Sequence, residues 1–114
     1  MNTQNLKTII PLKLRKKIEA QCGFFPTITA GTESAYHQAQ QTIYIDTENP
    51  FENQIQHAVF HELAHFIYRN IGKQFHKEPN LNTGAGEGYP IFYAWEESMC
   101  DSFADGMMKV CGYE

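Results

Sequence analysis

Apolar and polar positions repeat on two different periods along this chain. In "PLKLRKKIEAQCG", Leu14 and Ile18 stand four residues apart among basic side chains, which predicts a short amphipathic helix; Pro11 suits its first position and Gly23 a left-handed C-cap. From Phe24 to Asp46 the chain is rich in β-branched and aromatic residues, broken by Pro26, Gly31 and a polar "HQAQQ". Two or three short strands are expected there, with "ESAYH" and "QTIYID" as a hairpin, since Ile43 and Ile45 alternate with Thr42, Tyr44 and Asp46. The segment "NPFENQIQHAVFHELAHFIYRNIG" returns to helical spacing, with Phe51, Ile55, Val59, Phe66 and Ile67 on its apolar side. Asn49 can cap this helix of about six turns, Pro50 can take its first position, Glu52 can close a capping box and Gly72 can end it. A second long helix is predicted from Pro90 to Gly112, its buried stripe being Trp95, Met99, Phe103, Met107 and Val110.

The fold class that follows is α+β, one domain over residues 1–114: an N-terminal helix, a small sheet or hairpin, and two long helices. Residues 73 to 89 hold Gly84, Gly86 and Gly88. No strand is expected before them, so they do not form a nucleotide-binding fingerprint; they make a connection that could serve as a lid.

Composition adds limits rather than identity. Hydrophobic residues make up 42% and charged residues 19% of 114, an ordinary globular balance. No apolar run is long enough to cross a bilayer, and "MNTQNLKTII" lacks the pattern of a secretory signal, so a cytoplasmic location is expected. The net charge of −4 argues against nucleic acid as a partner, and the basic group Lys13, Arg15, Lys16 and Lys17 reads as a solvated helix face. Cys22, Cys100 and Cys111 cannot all pair; the latter two, on one helix, would stand roughly 16 Å apart.

The chemistry lies in "HAVFHELAHFIYRN". His61 and His65 are one turn apart on one helix face, so their imidazoles can converge on a single ion, and Glu62, about 100° around the helix, can act on a water beside it. The alternative is a pair of partly buried histidines satisfied by hydrogen bonds. A grip by His57 and His61 would leave no base beside the first ligand, so His57 is expected at the surface or beneath the hairpin. A catalytic zinc needs a third protein ligand and an open position. Glu97 on the second long helix can supply it, and Asp101, one turn on, can accept the outer N–H of a ligating histidine. Glu96 is expected to point into solvent. Two acids on an amphipathic helix could equally be its wet face.

"HELAH" followed some thirty residues later by "EESMCDSFAD" resembles the gluzincin clan of zinc metallopeptidases. The form E-x-x-x-[DN]-x-F-A, here Glu97, Asp101, Phe103 and Ala104, is similar to that of ImmA/IrrE-type peptidases and of CAAX-prenyl endopeptidases. The resemblance covers roughly residues 41 to 105 and implies a minimal zincin-like catalytic core. It also implies that "QTIYID" is a sheet edge that binds extended substrate. It departs from those relatives in having neither their transmembrane helices nor a sensor domain, so no substrate class carries over.

The activity implied is zinc-dependent hydrolysis of peptide bonds in a protein or peptide substrate, with zinc lowering the pKa of its water to about 7 and Glu62 as general base. Tyr89, Tyr93 or His76 could steady the developing oxyanion. Control by access suggests a regulatory protein partner or a tethered substrate. Two alternatives stand beside this. One takes His76 as third ligand, which resembles SprT-like proteases; the other is a non-catalytic zinc-stabilised binding module, conceivably with His61, His65, Glu97 and Cys100 closing the site.

Overall fold

Local rules place the elements, and one long helix organises them. The structure, a computed structural model, describes residues 6–70 and 89–113, the side chains of 89–93 excepted. The described residues form a small α+β fold with three α-helices and a three-stranded mixed sheet. A 3-10 turn at Lys7–Ile9 leads into α1, Leu12–Cys22, which ends on Gly23 at φ 86°, a left-handed conformation that glycine adopts without a Cβ clash. Ile18 of α1 is buried, Leu14 packs against the core, and Arg15 donates through Nε to the Ile10 carbonyl at 3.0 Å.

The sheet comprises β1 (Thr27–Gly31), β2 (Ala35–His37) and β3 (Thr42–Asp46), in the order β1-β3-β2. Strands β2 and β3 form the antiparallel pair expected from the sequence, with Tyr36 opposite Ile43. Strand β1 lies parallel to β3 on its other side, Thr27 opposite Thr42. "QTIYID" is therefore the central strand. The assignment of that segment to a sheet edge is corrected: the edges are β1 and β2, and it is β2 that borders the site described below.

Helix α2 spans Glu52–Asn70 and follows Asn49, whose Oδ1 accepts the Phe51 N–H at 2.9 Å. Helix α3 spans Tyr89–Cys111. Ile55, Val59, Phe60, Leu63 and Phe66 of α2 meet Ile28, Ile43 and Ile45 from the inner sheet face, Ala104 and Met108 from α3, and Leu6, Ile9 and Ile10 from the N-terminal turn. Fully burying such side chains is worth about 1.5–3 kcal/mol each before the entropy of ordering them is set against it. Phe66 is the hub, its ring 5.5 Å from Phe24 and 5.8 Å from Tyr36, both edge-on. Phe51, expected on the apolar side of α2, is 59% exposed, because it precedes the first full turn and reaches past the core.

The stripe expected on α3 is also corrected. Val110 is 79% exposed, and Trp95, Met99, Phe103 and Met107 are only half-buried. The buried line is Glu96, Cys100, Ala104 and Met108, one residue around the helix. Among the described residues no helix is long and apolar enough to cross a membrane. The three cysteines are free, Cys100 fully buried and the other two half-buried.

Candidate metal centre

Helices α2 and α3 run antiparallel and are joined by a ladder of histidines and carboxylates. His57 Nε2 lies 2.9 Å from Asp105 Oδ1, His61 Nδ1 lies 2.7 Å from Asp101 Oδ1, and His65 Nδ1 lies 2.6 Å from Glu96 Oε2. Each step of four along α2 is matched by a step of four or five backwards along α3, as antiparallel packing requires. His57 thus sits at the surface against α3, its side chain 33% exposed, as the first of its two expected places had it, and not beneath the hairpin.

Glu97 occupies the centre. Its Oε2 is 2.9 Å from His61 Nε2 and its Oε1 is 2.7 Å from His65 Nε2. The two imidazole rings stand edge-to-face with centroids 5.0 Å apart. Ligand atoms of His61, His65 and Glu97 all fall within 4.8 Å of one another, so these three side chains could hold a metal ion. Tetrahedral ligands at zinc-like bond lengths stand about 3.3 Å apart, so the His–Glu97 separations of 2.9 and 2.7 Å would open slightly to admit an ion.

The donor chemistry fits a cation. Asp101 and Glu96 accept from the Nδ1 positions, which assigns the proton there and leaves each Nε2 lone pair facing a Glu97 oxygen. Two lone pairs at that separation repel unless a proton or a metal ion lies between them. Among the described residues four carboxylates, Glu62, Glu96, Glu97 and Asp101, crowd this region against the single guanidinium of Arg69, so added positive charge is favoured.

Glu96 is the main correction to the sequence-based reading. It is 1% exposed rather than solvated. Besides His65 it contacts Arg69, whose Nε donates to Oε2 at 3.3 Å; Oε1 lies 2.9 Å from Nη2, an ion-pair contact too oblique to count as a hydrogen bond. Arg69 follows His65 by one turn, so a carboxylate of the facing helix that bridges both is stable when buried.

Glu62 is buried on the neighbouring face of α2, and the Tyr36 backbone N–H hydrogen-bonds to it. Burial raises its pKa above the usual carboxylate value; His65 and His61 oppose the rise, Glu97 adds to it, and the Tyr36 N–H opposes it. A cleft of about 350 Å³ opens here between β2 and the two helices, reaching Ser34, Tyr36, Gln38, Glu62, His65 and Glu97. Asn70 and Gln41 hold Tyr36 in its wall: Tyr36 Oη donates to Gln41 Oε1 at 2.6 Å and accepts from Asn70 Nδ2 at 3.1 Å.

Cys100 is close by but buried, and its thiol pKa is pushed far up, first by burial and then by Glu96, Glu97, Glu62 and Asp101. It does not belong to the ligand-competent group, which among the described residues contains no sulfur. Tyr89 opens α3 and Tyr93 lies one turn before Glu97, but their side chains lie outside the described residues, as do His76 and the glycine-rich segment. The chain matches no protein-family model, no curated protein and no solved structure.

Proposed function

We propose that this chain is a zinc-dependent endopeptidase of gluzincin type, its zincin-like domain reduced to the catalytic core. The observation that carries the reading is the convergence of two Nε2 atoms on one Glu97 carboxylate, with each outer Nδ1 held by a separate carboxylate of the same helix. His61, His65 and Glu97 would hold the ion. Zinc bound there supplies Lewis acidity and a water with its pKa lowered to about 7.

The remaining work belongs to the protein. Glu62 removes a proton from the attacking water as the water's oxygen bonds to the scissile carbonyl carbon, and passes that proton to the departing amine as the C–N bond breaks. Its burial beside the cleft keeps its affinity for that proton high. Asp101 and Glu96 hold the two imidazoles in one tautomer and orientation. Strand β2, a sheet edge along the cleft, would offer an extended peptide the backbone groups that remain beside the Tyr36 N–H held by Glu62.

The test is metal content and cleavage of an unfolded protein, measured together on chain purified without chelators. Wild type and Glu62→Gln are expected to carry one zinc each, with cleavage in wild type alone, lower in the variant by about 10²-fold or more. Glu97→Ala is expected to lose the metal, while His76→Ala keeps it; the reverse favours the SprT-like arrangement. Undiminished cleavage by Glu62→Gln overturns the hydrolytic scheme.

One observation favours a second reading, a non-catalytic binding module. The ladder runs on to His57 and Asp105, where among the described residues no third ligand and no base stand, so part of it only fastens the helices together. Under that reading zinc is absent or inert, and no substrate is cut.

A further inference from the structure

The cleft beside the histidines is acidic, and Arg69 is the only lysine or arginine among the described residues that line it. Glu96 engages this guanidinium from the buried side, through Nε and Nη2. The Arg69 side chain is 30% exposed against 2% for Glu96, so what it presents outward faces the cleft. A guanidinium carries five N–H donors; here Nε–H donates to Glu96 and Nη2 stands in ion-pair contact with it, which leaves donors on the open side. The same pairing holds the group in one orientation, so little further side-chain freedom is lost when it takes a second anion.

Arg69 stands one turn beyond His65, about 6 Å along the helix. That is the length of roughly two residues of extended peptide. Ser34 and Gln38 on the opposite wall contribute neutral polar groups.

The geometry points to Arg69 as a carboxylate-binding subsite: the substrate is a peptide with an acidic side chain or a free chain terminus about two residues from the bond that is cut. The inference rests on the hydrolytic reading above. Arg69 touches the substrate and not the reacting atoms, so it sets specificity.

Unstructured ten-residue peptides test it, each with one Glu walked along the sequence, compared with its Gln counterpart and prepared with free or amidated C-terminus. The zinc-loaded protein is expected to show kcat/KM about tenfold higher for a carboxylate at one fixed distance from the cut. The Glu and Gln pairs report a side-chain carboxylate; the acid and amide pairs report a terminal one. In Arg69→Gln, checked for retained zinc, that preference should vanish. Should Arg69→Gln fail to keep zinc, Arg69→Lys replaces it and should show a weakened preference. Cleavage without any carboxylate preference, or a preference unchanged in these variants, overturns the subsite and leaves hydrolysis standing. Should no peptide be cut, hydrolysis fails, and binding decides on Arg69 alone: the monohydroxamate of succinic acid should bind the zinc-loaded protein about tenfold more tightly than that of succinamide. Equal affinities end the proposal.

Discussion

Two carboxylates hold the two histidines, and they differ in setting. Glu96 is enclosed and shared with Arg69, whereas the Asp101 side chain is 60% exposed. An acceptor screened from water orients its partner more strongly, and its loss leaves a half-buried guanidinium without a counter-charge. Glu96→Gln is therefore expected to weaken zinc binding by about 10- to 100-fold and Asp101→Asn by less, read by competition with a chelator. A larger loss in Asp101→Asn would contradict the ranking. His61 and His65 could be picked out in the sequence because a spacing of four puts them on one helix face, Glu62 because it follows the first of them, and Glu97 because it stands one turn before Asp101. Glu96 could not be, since its place depends on a bond to Arg69 across a helix pair that no single-helix pattern displays.

The elements themselves follow local rules that the sequence makes visible. The hairpin of β2 and β3 shows in alternating Ile43 and Ile45, and the ends of α1 and α2 show in Gly23 and Asn49. The parallel partner β1 does not, because its pairing with β3 bridges fifteen residues and depends on the core beneath it. The α3 stripe was misjudged by one residue for a similar reason: turning Glu96 inward rotates Met108 in and Val110 out. Where β1 ends, a Cβ on Gly31 would sit 2.9 Å from Tyr44 Cβ, closer than side chains approach. Gly31→Ala should therefore force the β1–β3 pair apart and cost about 1–3 kcal/mol in urea unfolding. An unchanged unfolding midpoint would show that the strands yield without cost.

At the scale of the whole molecule, several weak acids are held protonated by burial. The pKa values of Cys22, Tyr36, Cys111 and Tyr113 are all raised, with burial the leading cause in each, from ordinary values of 9.0 for the thiols and 10.0 for the phenols. Above those ordinary values the unfolded chain has released protons that the folded chain still binds. Folding stability then falls as pH rises. The urea midpoint is expected to be lower at pH 10.5 than at pH 8, and a midpoint that held or rose would contradict the burial of these groups.

The Tyr113 hydroxyl donates to the Ile9 carbonyl at 2.8 Å, across 104 positions of sequence. Leu6, Ile9 and Ile10 are synthesised well before Tyr113, yet this bond over them cannot form until Tyr113 has left the ribosome. During that interval the earlier segment lacks its closing bond and is open to chaperones and degrading enzymes, so the time taken to translate the residues between the two partners sets how long that segment is at risk.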